Sequence, residues 1–190
     1  MRTFFCLEIP EETRKRMAKL SEEIYQPAYV KWVDPANLHV TLKFLGEVEP
    51  SRVDEIEEAA KAPADHNPAF TMEIDKLGSF PKVSYPKVIW LGSSSEPAEI
   101  HSLYADLEEE MAGLGFDPEE RDYIPHITLG RTKEKNNGRI KEMGRELESF
   151  SVGENWEVEI DELTLMESEL RRDGPVYTPL FKLPLQGEDR

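Results

Sequence analysis

The sequence predicts an α+β fold of two lobes related by an approximate two-fold axis, with mainly antiparallel sheets lining a central cleft and helices outside. Three observations carry that prediction. Stretches of hydrophobic period two alternate with stretches of helical period along the whole chain. The order of strand and helix in the first half returns in the second. Each half also holds one His-x-Thr-Leu, HVTL at 39–42 and HITL at 126–129. At 190 residues the chain suits one substantial body and is too short for two independent large domains.

RTFFCLEI reads as the first strand, with Phe5, Leu7 and Ile9 on one face and Phe4 and Cys6 making the other face apolar too, as in a central strand. Pro10 ends it, and Met17, Leu20 and Ile24 then fall on a helical stripe that Pro27 closes. VKWV is a short strand, DPAN a turn, and LHVTLKFLG a strand stopped at Gly46. Ser51 is placed to cap a second helix whose Val53, Ile56 and Ala60 face inward. FTMEIDKLGSF and KVIWLG read as strands separated by a proline-marked loop, SFPKVSYP.

The second half opens with the strongest helix, carrying Ile100, Leu103, Tyr104, Leu107, Met111 and Leu114 in register and stopped by Gly113 and Gly115. IPHITLGRT is the next strand. NNGRIKEMGRELESF is a helix with Ile140, Met143, Leu147 and Phe150 inward; WEVEIDELTLMESEL is one long strand and VYTPLFKLPL the last. The expected domain is 1–185, with 186–190 a loose tail.

Composition narrows the function classes. No stretch reaches the roughly 20 apolar residues of a membrane span. The first residues lack a small-residue cleavage site and carry acids, unlike a signal peptide, so the expected setting is cytoplasmic. The lone Cys6 sits among strand residues and reads as a buried, inert thiol. A formal net charge of −16 argues against broad coating of nucleic acid, so a polyanionic ligand must be met locally. Much of the acid is Glu on outer helix faces.

The repeated motif is where chemistry concentrates. Residues two apart on a strand share a face, so His39 stands with Thr41 and His126 with Thr128, each imidazole beside a hydroxyl. A two-fold relation brings the imidazoles to the cleft from opposite sides. Displacement at phosphorus runs in line, so it needs proton removal on one side and proton supply on the other. Histidine does both near neutral pH. The threonines would donate to non-bridging oxygens, and Arg131, at the end of its strand, would add fixed positive charge, with Lys43 and Lys133 as nearby alternatives. This chemistry needs no metal and no cofactor.

Bland readings compete with this one. A single strand histidine is usually structural, and only the pairing of two such motifs is informative. His66 in a loop and His101 on the polar side of a helix lack the company of a zinc site. No nucleophile-elbow pattern supports serine catalysis. Trp32, Trp90 and Trp156 read as core or strand-surface aromatics. Phe44 and Tyr123 flank the motifs, and either could stack on a nucleobase or simply pack.

Four stretches together, MRTFFCLEIPEETR, VKWVDPANLHVTLKFLGEV, RDYIPHITLGRTK and LMESELRRDGPVYTPL, resemble the RNA 2′,3′-cyclic phosphodiesterase family of the two-histidine phosphoesterase superfamily, once called 2′-5′ RNA ligases. The resemblance covers nearly the whole chain. It implies a bilobal α+β fold and metal-independent hydrolysis of a 2′,3′-cyclic phosphate at an RNA end to a 2′-phosphate. It maps the family's histidines onto His39 and His126, its threonines onto Thr41 and Thr128, and its arginine onto Arg131. It also implies His39 as the acid protonating the departing 3′ oxygen and His126 as the base activating water.

The expected partners are therefore RNA ends or short oligonucleotides carrying a cyclic phosphate, met by a monomer with no membrane attachment. A patch of Lys43, Arg131 and Lys133 would hold one or two phosphates while the surrounding acids repel the rest of a long strand. Weak 2′-5′ joining in reverse is compatible with the same site. Two rivals remain: a phosphodiesterase for a small cyclic-phosphate metabolite, such as one derived from ADP-ribose, and a nucleotide-binding module without turnover.

Overall fold

A computed structural model describes residues 1–24, 29–133, 135–153, 155–172 and 174–187. Ten strands and four α-helices follow one another among them. The first half runs β1 (Arg2–Glu8), α1 (Glu11–Glu23), β2 (Val30–Trp32), β3 (His39–Glu47), α2 (Val53–His66), β4 (Phe70–Ile74), β5 (Lys76–Lys82) and β6 (Tyr85–Gly92). The second runs α3 (Ala98–Gly113), β7 (His126–Thr132), α4 (Asn137–Ser149), β8 (Trp156–Ile160), β9 (Glu162–Arg171) and β10 (Gly174–Pro184).

Eight strands form one sheet in the order β10-β9-β1-β3-β7-β6-β5, with β2 paired to the remaining length of β7. Every pairing in it is antiparallel. The two expected lobes are thus halves of one sheet, joined where β3 meets β7 at a single pair, Val40 with Ile127. The helices lie over one face. Phe5, Leu7, Val40, Leu42, Ile127 and Leu129 are buried there with Met17, Ile56, Ile100, Leu103 and Met143. β1 is covered on both faces, as its composition requires, because Phe4 and Cys6 form a second small cluster with Met166 on the opposite side.

Several elements depart from the sequence expectation for local reasons. FTMEIDKLGSF and WEVEIDELTLMESEL are each two strands, and both break at the Asp of an Glu-Ile-Asp repeat, Asp75 and Asp161. Asp75 leaves the ladder because its carboxylate accepts from the Ser94 N–H and hydroxyl at 2.7 and 2.5 Å. The freed β4 and β8 pair with each other as a second, two-stranded sheet. SFPKVSYP is not a loop but most of the β5–β6 hairpin, in which Pro81 faces Pro86. Pro81 is tolerated because β5 is an edge strand with one side free of the ladder, and Pro86 because it lies outside the stretch of β6 paired with β7, Val88–Gly92. Ser51 lies within a 3-10 turn (Pro50–Arg52) and does not cap α2, whose cap position is Arg52.

Gln186 and Gly187, expected in the loose tail, donate their N–H groups to Ala64 O and Asn67 O, both at 3.0 Å. The rest of that tail, 188–190, and Pro27 at the expected end of α1 lie outside the described residues. No helix of the described residues is long and apolar enough to cross a membrane.

Gly78 shows how tightly the β5–β6 hairpin is built around the site. A Cβ there would stand 2.3 Å from Cζ2 of Trp90, whose indole lies flat over the glycine. Gly78→Ala must push the indole aside, and overpacking of this kind costs about 1–3 kcal/mol. A thermal melt lowered by several degrees is the expected result, and an unchanged melt would show that Trp90 is free to move.

Candidate active site

Antiparallel pairing of Val40 with Ile127 sets the two motifs head to tail. By that register His39 lies opposite Thr128 and Thr41 opposite His126, so the local two-fold axis passes between the Val40 and Ile127 pair. Val40, Leu42, Ile127 and Leu129 point to the helix-covered core, and the four polar side chains share the other face. The expected grouping of His39, Thr41, His126 and Thr128 is what the strands produce.

Both imidazoles are oriented in the same way. Nδ1 of His39 donates to Asn37 O, and Nδ1 of His126 to Ile124 O, each at 2.7 Å. A proton held on Nδ1 by a backbone carbonyl leaves Nε2 as the working nitrogen. Nε2 of His39 lies 3.0 Å from Thr41 Oγ1. Aromatic rings flank each imidazole: Phe4 at 5.0 Å and Tyr177 at 5.3 Å around His39, Phe80 at 5.0 Å and Trp90 at 6.0 Å around His126.

These walls leave both imidazoles partly buried, and burial lowers both pKa values from the ordinary 6.5. Smaller influences then separate the two. Beyond burial, the carbonyl of Asn37 raises that of His39, a charge on His126 lowers it and the Glu8 carboxylate raises it. For His126 the carbonyl of Ile124 raises it and the Arg131 guanidinium lowers it. Glu8 is paired with His39 across β1 and β3, and its own carboxylate is held by Thr164 Oγ1 at 3.0 Å and Lys182 Nζ at 2.8 Å.

Arg131 reaches this face only because β7 carries a bulge. Strict alternation would turn a residue five positions after His126 into the core. Trp90 pairs with Thr128 and Ile89 with Gly130, which leaves Leu129 as an extra residue and reverses the side-chain faces beyond it. β3 repeats the device: Cys6 pairs with Thr41 and Phe5 with Lys43, leaving Leu42 extra. The consequence for β3 decides one open alternative and overturns one expectation. Phe44 turns onto the histidine face, 67% exposed and 5.8 Å from Phe4, and so is not a core residue.

Lys43 turns away from the site. Its ammonium is buried on the helix side, bonded to Glu108 Oε1 at 2.8 Å and Asp117 O at 2.9 Å. It therefore drops out of the expected cationic patch. Lys133 lies exposed just beyond β7, its N–H bonded to Tyr29 O. The cation in register with Arg131 is Lys31 of β2, which sequence reasoning missed because β2 gives no sign of which strand it joins.

Tyr123 is a brace. Its hydroxyl donates to Thr41 O at 3.1 Å, and its ring stacks on Tyr104 with centroids 4.1 Å apart. That ties the segment before His126 to the strand of the first motif and gives one face of the ring to Tyr104. Cys6 is fully buried, and burial, followed by Glu8, pushes its thiol pKa far up, as expected of an inert thiol. His101 is held by Glu96 at 2.7 Å. No group of three or more His, Cys, Asp and Glu among the described residues could hold a metal ion.

A cavity of about 420 Å³ opens beside His39 and includes Phe4, Glu8, Asn37, Met166 and Tyr177 in its lining. Its size is in the range of small-molecule sites. Glu8, Asn37, Phe80 and Tyr177 were missed in the sequence because only strand pairing brings them to the histidines.

The model of the family described as LigT like Phosphoesterase matches twice, over residues 7–90 and 91–177, one match per half. Among curated proteins, the RNA 2′,3′-cyclic phosphodiesterase of Methanothermobacter thermautotrophicus is 34% identical over 182 residues, 95% of this chain and 96% of its own. That of Escherichia coli is 28% identical, covering 97% and 96%. Among solved structures, E. coli LigT complexed with 3′-AMP has a TM-score of 0.81 at 29% identity over 97% of each chain. TT0787 of Thermus thermophilus has 0.80 at 27% identity over all of both chains.

The buried pair gives a direct test of Lys43. Lys43→Ala leaves the Glu108 carboxylate unpaired and should cost about 3–5 kcal/mol in chemical denaturation. The double variant Lys43→Met with Glu108→Leu should recover most of that loss. A stable Lys43→Ala protein with weakened substrate binding would return Lys43 to the site.

Proposed function

The chain belongs to the LigT-like phosphoesterase family, and from that premise we propose that it is an RNA 2′,3′-cyclic phosphodiesterase that opens the ring to a 2′-phosphate without a metal. One observation carries the mechanism: two imidazoles with the same tautomer, related by a local two-fold axis, stand on one face of paired strands with Nδ1 held by a backbone carbonyl. A phosphorus on that axis has a proton acceptor on one side and a proton donor on the other.

His126 Nε2 takes a proton from water as the water oxygen bonds to phosphorus. The bond from phosphorus to the 3′ oxygen breaks on the opposite side, and His39 Nε2 delivers its proton to that oxygen. The step ends with His39 neutral and His126 protonated, and exchange with solvent restores the start. The assignment is supported by the unequal neighbours: Glu8 favours the protonated form of His39, and Arg131 the neutral form of His126. Thr41, Thr128 and Arg131 donate to the non-bridging oxygens as charge builds on them. The exposed ring of Phe44 is a stacking surface for a nucleobase, a contact worth about 1–3 kcal/mol. Weak 2′-5′ joining is the same ring opening with a 5′ hydroxyl in place of water: the P–O5′ bond forms as His126 takes the hydroxyl proton, and the bond to the 3′ oxygen breaks as His39 protonates it.

His39→Ala and His126→Ala should each lower turnover by roughly 10²–10⁴-fold with the fold intact. The double variant should lose less than the product of the two. Excess EDTA should leave the wild-type rate unchanged. Folded single variants with near-normal rates would remove the histidines from the reaction, and loss in EDTA restored by one divalent ion would make it metal-dependent.

The pH profile follows from the lowered pKa values. Activity needs His126 neutral and His39 protonated, so kcat/KM falls at low pH as His126 gains a proton and at high pH as His39 loses one. Because both pKa values lie below 6.5, the optimum of kcat/KM is expected on the acid side of that value. A bound phosphate favours the protonated forms, so the kcat profile should sit at higher pH than the kcat/KM profile. A kcat/KM optimum well to the alkaline side would contradict the partly buried setting of the imidazoles.

A further inference from the structure

The larger cavity of the molecule is not the one beside His39. About 600 Å³ opens between the turn of the β5–β6 hairpin and α4, with Lys82, Ser84 and Tyr85 on one wall and Lys141, Arg145 and Glu148 on the other. Its construction is specific. Gly144 lets α4 lie against the turn backbone, where a Cβ would stand 2.7 Å from Val83 O. Lys141 and Arg145 then fall one helical turn apart on the stripe facing the hairpin, an i, i+4 pair of like charge that is mildly unfavourable in isolation.

The charge pattern is the informative part. The chain has 39 Asp and Glu against 23 Lys and Arg, yet three cations meet at this cavity with one carboxylate beside them. Among the described residues, Lys82, Lys141 and Arg145 have no ion-pair or hydrogen-bond partner. Unpaired cations held like-beside-like in a concave site, on a molecule rich in acid, are an arrangement that an anion completes.

The hairpin also supplies a path. Phe80 of β5 packs on His126, and two residues farther along Lys82 pairs with Tyr85 at the turn. From Trp90, opposite Thr128, to Tyr85 is five residues of strand, about 17 Å at 3.3 Å each. A nucleotide bound between the histidines is too short to span that distance. A strand of several nucleotides is long enough.

We propose that the cavity between the β5–β6 turn and α4 is a second phosphate site, gripping the backbone of the RNA strand upstream of the cyclic end. The inference rests on the proposed reaction at RNA ends and deepens it: the substrate is a short strand held at two points, not a mononucleotide and not a long RNA lying on a continuous basic track. It also replaces the single local patch of Lys43, Arg131 and Lys133 by two separated ones.

The test compares wild type with the variant Lys141→Glu plus Arg145→Glu on adenosine 2′,3′-cyclic phosphate and on oligonucleotides of increasing length ending in a cyclic phosphate. Wild-type kcat/KM should rise about tenfold once the strand is long enough to reach the cavity and then level off. The variant should match wild type on the mononucleotide and lose the rise, and its slope of log kcat/KM against log salt on the longer substrate should be shallower by about 0.7 for each phosphate released. Lys82→Glu, on the opposite wall, should reproduce the loss and exclude a defect confined to α4. A rise that survives both charge reversals, or no rise in wild type, overturns the second site. Absence of turnover on every substrate would count against the reaction itself; fluorescence anisotropy with an uncleaved strand would then read the cavity, with equal affinity in wild type and variants overturning the proposal.

Discussion

One backbone pairing, Val40 with Ile127, organises the rest of the molecule. It joins two half-sheets that otherwise pair only within themselves, and its antiparallel sense puts two His-x-Thr strands side by side in opposite directions. The apolar residues of each strand must face the helices, so the polar residues have one face left to share. A phosphate between them is then met symmetrically, which is the requirement of in-line displacement.

Symmetry alone would leave the two histidines interchangeable, and each half breaks it after its threonine. A bulge follows both motifs, and each brings the residue three positions past the threonine to the cleft. In β3 that residue is Phe44, an exposed ring; in β7 it is Arg131, a guanidinium beside His126. With Glu8 beside His39, the two histidines have unequal charged neighbours, a carboxylate near one and a guanidinium near the other. The second cationic site extends the same asymmetry, because α4 closes on the hairpin in the second half only.

Much of this was legible in the sequence. The period-two stretches gave the main strands, and the repeat of His-x-Thr-Leu gave the candidate quartet His39, Thr41, His126 and Thr128 and the duplication. Arg131 was named from its place at the end of its strand, and the resemblance maps it too, although strict alternation points it inward. Lys43 failed for the same reason in reverse: two residues beyond Thr41, it looks like a cleft residue until the bulge at Leu42 turns it to Glu108. The strand breaks at Asp75 and Asp161 were hidden because each sits within an unbroken alternating pattern, and the hydrogen bonds that hold Asp75 come from Ser94 on the far side of the β5–β6 hairpin. Glu8, Lys31 and Tyr177 had no sequence signal, because which strands pair, and in what register, is decided by packing across the whole sheet.

The central claim is that proton acceptor and proton donor act from opposite sides of one phosphorus. Hydrolysis of a single diastereomer of a nucleoside 2′,3′-cyclic phosphorothioate in ¹⁸O-labelled water, with the configuration of the product determined, tests it most directly. The account predicts inversion at phosphorus with one labelled oxygen in the 2′-thiophosphate; retention would mean that water and the 3′ oxygen share a side or that a covalent intermediate intervenes, and either would contradict it.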